Sequence, residues 1–106
     1  MAKNVGVQVT AMPQRASSAT SAVVISDGTA LAANDNRSWW NIQNLDDVAV
    51  YVKLGAAASS SDFSFVLKAG TASNDGLGGS WFDDTYTGIV TIAAATGSPR
   101  VVVVSA

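Results

Sequence analysis

Eight aspartates are the only acidic side chains in the chain, and no histidine, cysteine or glutamate accompanies them. They stand at positions 27, 35, 46, 47, 62, 75, 83 and 84, each beside Gly, Asn, Ser, Thr or a second Asp. Asp46-Asp47 and Asp83-Asp84 raise the chemistry of a carboxylate pair, one acid and one base across a glycosidic bond. Adjacent residues of a strand point to opposite faces, so neither pair converges on one substrate. Asn74-Asp75-Gly76 and the Asp pairs also supply oxygen ligands of the kind calcium takes, but no D-x-D-x-D-G loop is present. Turn capping explains the same residues, because Asp side chains hydrogen-bond nearby backbone groups. Acid–base or nucleophilic catalysis ordinarily uses His, Cys, Glu or Lys. Three of these are missing, and Lys3, Lys53 and Lys68 lie in unrelated contexts. No enzyme, no metal and no cofactor is expected. Gly76-Leu77-Gly78-Gly79 lacks the spacing and the following helix of a phosphate cradle.

The aromatic residues offer a different chemistry. Trp39, Trp40, Tyr51, Trp81, Phe82 and Tyr86 are the raw material of a sugar-stacking platform, or of a core and an interface. In RSWWNIQN, strand parity sends Trp40 and Ile42 to one face and Trp39, Asn41 and Gln43 to the other. Trp40 is therefore expected in the core. Trp39 is left for a sheet exterior, a subunit interface or a lone stacking ring. Arg37 shares the parity of Trp39 and reads as a solvated edge charge, a ring-stacking cation or the partner of a carboxylate.

The elements that must position these residues are short strands. Residues 5–10 alternate with period two, with Val5, Val7 and Val9 on one face, and 22–26 and 29–34 read as two further strands, which Asp27-Gly28 would join as a hairpin. RSWWNIQNLDDVAVYVKLG reads as a second hairpin, with Val48, Val50, Val52 and Leu54 on the apolar face of its return strand. Residues 56–61 are an Ala/Ser loop. Phe63, Phe65 and Leu67 alternate over 62–70. Residues 71–79 form the best candidate for a mobile surface loop. Two further strands, 88–95 and 100–106, flank Thr96-Gly97-Ser98-Pro99. Val101, Val102, Val103 and Val104 do not alternate with polar residues, so both faces of that strand should be covered, in a sheet interior or by another subunit. About eight strands with turns every 8–12 residues or so predict an all-β fold, a single antiparallel β-sandwich or barrel.

Composition narrows the function. The chain has 106 residues, enough for one domain. Charged residues make up 13%, about half the ~25% of an average domain, which favours a surface partly covered by neighbours. A formal net charge of −2 with six basic residues argues against nucleic acid as a partner, since phosphate contacts need a basic patch. No segment reaches the ~20 apolar residues of a membrane-spanning helix, and the first residues contain no apolar run of the export type. A soluble protein made in the cytoplasm is expected.

Asn36-Arg37-(x)4-Ile42-Gln43-Asn44, Val50-Tyr51-Val52-(x)2-Gly55 with its Ala/Ser-rich turn, Tyr86 to Ala93, and the closing Arg100 to Val104 together resemble small virion proteins of tailed bacteriophages. The resemblance spans residues 22–106. It implies a jelly-roll-like sandwich over 22–106, preceded by an extended N-terminal arm and first strand over 1–21. It further implies a cement or decoration protein bound to the outer surface of the capsid, as a homotrimer on the major capsid protein. Val5, Val7, Val9, Trp39 and Val101 to Val104 are then the candidate contact residues. The other role that such modules imply is host recognition in a tail fibre or spike, with Trp39, Trp81 or Tyr86 stacking on a sugar.

Overall fold

A computed structural model describes residues 19–106; Val5, Val7, Val9 and most of the expected arm lie outside them. Eight strands are present among the described residues: β1 Thr20–Val24, β2 Gly28–Leu31, β3 Trp40–Asn44, β4 Val50–Leu54, β5 Phe65–Leu67, β6 Ser80–Asp83, β7 Val90–Ala94 and β8 Val101–Ser105. They build two four-stranded antiparallel sheets, in the orders β1-β8-β3-β6 and β2-β7-β4-β5. The expected all-β sandwich is the observed fold. The first described strand starts at Thr20, so residues 20 and 21 belong to the sheet.

One core fills the space between the sheets. Trp40, Ile42, Val101 and Val103 reach it from the first sheet, and Val50, Val52, Leu67, Val90 and Ile92 from the second. Trp40, Ile42, Val50 and Val52 are completely buried, as strand parity predicts. Two expected hairpins are corrected. β1 and β2 lie in opposite sheets, as do β3 and β4, so both connections cross the sandwich. Among the described strands only β4 and β5 are consecutive and paired. The physical reason is that alternation dictates which side chains turn inward, while either sheet can receive them. Trp40 thus meets Val50 and Val52 across the core, not along a shared ladder. Phe63 also departs from expectation. It precedes β5 and stands 4.9 Å from Tyr51, ring centroid to ring centroid, on the outer side of the second sheet.

Two buried polar side chains hold the crossings. Asn44 is buried at the end of β3. Its amide donates to the Val48 carbonyl at 2.7 Å and the Lys68 carbonyl at 3.2 Å, while its Oδ1 accepts the Asp46 N–H at 2.9 Å. The β3–β4 crossing is thereby tied to the end of β5. Gly78 packs so closely on the Asn44 carbonyl that a Cβ at that position would collide with backbone.

Arg37 is no edge charge. It is only 7% exposed, and its guanidinium donates to the carbonyls of Ala32 (3.0 Å), Tyr86 (3.0 Å) and Gly88 (2.8 Å). Its Nε has no partner among the described residues. Three backbone segments are gathered at the root of Trp39. Arg37→Ala would strand three carbonyls, each unsatisfied group costing about 1–3 kcal/mol. Lysine lacks the planar fork that spans them. Urea unfolding should therefore show Arg37→Ala and Arg37→Lys both destabilised by at least about 2 kcal/mol. A lysine variant as stable as the parent would contradict the clamp.

Candidate functional site

The two sheets treat their outer faces differently. On the second sheet the face is partly covered by the chain itself, although Val66 and Phe63 stay 44% and 41% exposed there. Thr91 points outward from β7 yet is only 4% exposed, because residues 55–58 fold over it. Its Oγ1 donates to the Gly55 carbonyl at 2.7 Å and accepts the Ala58 N–H at 3.0 Å. Tyr51 and Phe63 shield the adjoining area. Lys53 and Asp62 form an ion pair of 2.6 Å there, so this face is partly covered and charged.

On the first sheet the 71–79 loop reaches the outer face at its end, where the Gln43 amide donates to the Gly76 carbonyl at 3.4 Å, and the two central rows of that face carry no charge. Register places Ser21, Val104, Asn41 and Phe82 side by side across the four strands. The next row is Val23, Val102, Gln43 and Ser80. Val23 and Phe82 are 52% and 58% exposed. Trp39 continues the parity of Asn41, and its ring stacks on Phe82 with centroids 6.1 Å apart and planes 27° from parallel. The ladder there runs on beyond the strands, since Trp39 and Ala106 exchange backbone hydrogen bonds of 3.2 and 3.1 Å. A neutral strip of valines and amides ends in two stacked aromatic rings.

Strand geometry sorts the candidate contact residues. Val102, Val104 and Trp39 share this face, half-buried by their neighbours. Val101 and Val103 do not belong with them. Both are core residues, because successive side chains of β8 alternate in direction. The expected place in a sheet interior holds, since β8 lies between β1 and β3. The expectation that both faces are covered is corrected, because Val102 and Val104 on the outer face are only half-buried. Phe82 is the residue that sequence reasoning passed over as part of this surface. Its place depends on the pairing of Asn41 with Phe82, which no local pattern announces.

The aromatic residues do not form one platform. Trp40 is core, with its Nε1–H donating to Asp83 Oδ2 at 3.2 Å. Trp81 bridges the edges of the two sheets, its ring stacked 4.6 Å from that of Phe65. Tyr86 donates its hydroxyl proton to the Ile89 carbonyl at 2.8 Å.

The aspartates serve the backbone. Asp83 accepts the N–H groups of Thr85 and Tyr86 as well as the Trp40 indole, and Asp27 accepts the Ala94 N–H. The Asp47 N–H and the Ser73 hydroxyl hold the Asp46 carboxyl below its ordinary range. Asp75 is the hub of the 71–79 loop. The Thr71 hydroxyl first, with the backbone N–H groups of Leu77, Ala72 and Thr71, lowers its pKa to about 2. The loop is exposed, as expected, and it is also tied to Asp46 and Leu45 by the backbone of Gly70 and Asn74. Among the described residues no three His, Cys, Asp or Glu side chains gather in a metal-binding group, and no cavity opens. What this arrangement offers chemically is a contact surface.

A carboxylate with a depressed folded-state pKa stabilises the fold above its unfolded value near 3.8, and that contribution is lost as pH falls through about 2. Protection factors of the Thr71, Ala72 and Leu77 amides should fall selectively below about pH 4, and Asp75→Asn should show the lower protection already at pH 6. Exchange in the variant equal to the parent's would remove Asp75 as the hub. No family model, curated protein or solved structure matches the chain.

Proposed function

We propose that this protein is a structural virion protein of a tailed phage, a cement or decoration module that docks on the outer surface of the capsid and strengthens capsomer contacts. The observation that carries the reading is the pair of uncharged central rows on the outer face of the β1-β8-β3-β6 sheet, ending in the Trp39–Phe82 pair. The opposite face carries the Lys53–Asp62 ion pair and is partly covered by residues 55–58. A surface without charges is cheap to desolvate, and aromatic residues are enriched at contacts. The polar groups a catalyst would use are committed instead to holding backbone, which fits a binding role and not an enzyme.

In this reading the sandwich is a jelly roll. Strand orders of 1-8-3-6 and 2-7-4-5 support it, since each sheet alternates early and late strands as two interleaved Greek keys would. The residues that precede Thr20 serve as the arm, with Val5, Val7 and Val9 as its contact row, and three copies gather on the major capsid protein. Synthesis in the host cytoplasm precedes attachment to the virion, with neither nucleic acid nor membrane as a partner.

A second reading has one observation in its favour: Asn41 lies beside Phe82 and Trp39, and amide groups next to stacked rings suit a sugar. That would make the module a glycan-binding part of a tail fibre or spike. Co-sedimentation with capsids stripped of the protein separates the two. The parent should pellet with capsids and raise their rupture temperature. Val102→Lys and Phe82→Asp, both on the exposed face, should lower attachment at least tenfold with an unchanged circular dichroism spectrum. Undiminished attachment of both variants, or capsids equally stable without the protein, would refute the cement reading. Saturable sugar quenching of Trp39 fluorescence without capsid binding would favour the glycan reading.

A further inference from the structure

The four sheet edges are not protected alike. β5 is three residues long and is followed by Lys68. β2 breaks register between Thr29 and Leu31, a bulge that bends its edge away. β6 ends in Asp83 and is followed by Asp84. Short length, bulges and charges are the means by which native proteins keep an edge from recruiting another strand. β1 has none of them. Thr20–Val24 is a five-residue strand, exposed over Thr20 to Val23, and among the described residues it is paired on one side only, to β8. It is followed by Ile25 at 59% exposure, and the run from Thr20 to Ile25 contains neither a charge nor a proline.

We infer that β1 is a self-association edge, pairing antiparallel with β1 of a second copy about a two-fold axis at Ala22. Pairing about the strand midpoint brings all five residues into register, with Ser21 opposite the second copy's Val23 and Thr20 opposite its Val24. A copy of the same edge meets no opposed charge. Pairing with β5 or β6 would instead bring Lys68 or the Asp83-Asp84 pair to the contact, and the bulge of β2 would break the ladder. Side chains 21 and 23 point to the neutral outer face, so the pair joins two four-stranded sheets into one of eight and doubles that face without interruption. Two strands bury much less than the roughly 800 Å² per partner of a standard interface. The dissociation constant should accordingly lie on the order of 10–100 µM. The pairing is a property of the free protein and is independent of the capsid reading, which is measured on particles.

Sedimentation equilibrium of the full chain, from about 1 µM to 1 mM, tests it. The parent should pass from monomer to dimer. Ser21→Lys/Val23→Lys places like charges directly opposite each other twice and should weaken the dimer at least tenfold. Ser21→Lys/Val23→Glu places opposite charges at the same two positions and should restore it, which also shows that two charges on the strand leave the fold intact. A monomer throughout, a trimer, a Lys/Lys variant that dimerises as the parent does, or a Lys/Glu variant that stays monomeric would each overturn the proposal. So would dissolution of the dimer by Val7→Asp, which would assign the pairing strand to residues 5–10. Failure of the parent protein to attach to capsids, with its dimer intact, counts against the cement reading alone.

Discussion

Two sheets that share one core leave two faces outside it, and a chain of this size has little with which to cover both. That constraint organises the molecule. Period-two alternation puts Trp40, Ile42, Val50, Val52, Val90, Ile92, Val101 and Val103 between the sheets, and burial of those side chains, at roughly 1.5–3 kcal/mol for a large apolar one, drives the fold. The complementary residues are turned out by the same rule. On the second sheet they are partly capped by residues 55–58 and by the Tyr51–Phe63 pair. On the first they form the neutral rows that end at Trp39 and Phe82.

Several of the chain's few polar and charged groups hold irregular backbone in place. Arg37 gathers three carbonyls, Asn44 ties a crossing to β5, Asp83 caps the turn after β6, and Asp75 closes the 71–79 loop. Each substitutes for backbone partners that irregular segments lack, because a buried polar group left unpaired is costly. Arg37 does so at a price, since its charge is buried with carbonyl dipoles for company and no carboxylate. The result is that Trp39, two residues on, leaves a fixed point of the structure.

Much of this was legible in the residues alone, and the gaps have identifiable causes. The all-β class, the burial of Trp40 with Ile42, the outward parity of Trp39 and the turn-capping role of the aspartates all follow from local rules. Those rules act within a strand or a turn, where sequence distance and spatial distance agree. Sheet membership does not, which is why β1–β2 and β3–β4 read as hairpins although each pair spans the sandwich. The same blindness hid Phe82, which joins the surface only through its pairing with Asn41. Arg37 could not be recognised as buried because its three acceptors lie on segments as far as fifty-one positions away. Val101 to Val104 looked uniform in sequence, yet alternation divides them between core and surface.

The central claim is that the outer face of the β1-β8-β3-β6 sheet is the one that docks on a capsid. Hydroxyl-radical footprinting of free and capsid-bound protein reads the two faces in one sample. Oxidation of Trp39 and Phe82 should fall several-fold on attachment, with Tyr51 and Phe63 on the opposite face unchanged. Protection of Tyr51 and Phe63, with Trp39 and Phe82 as reactive as in the free protein, would contradict it.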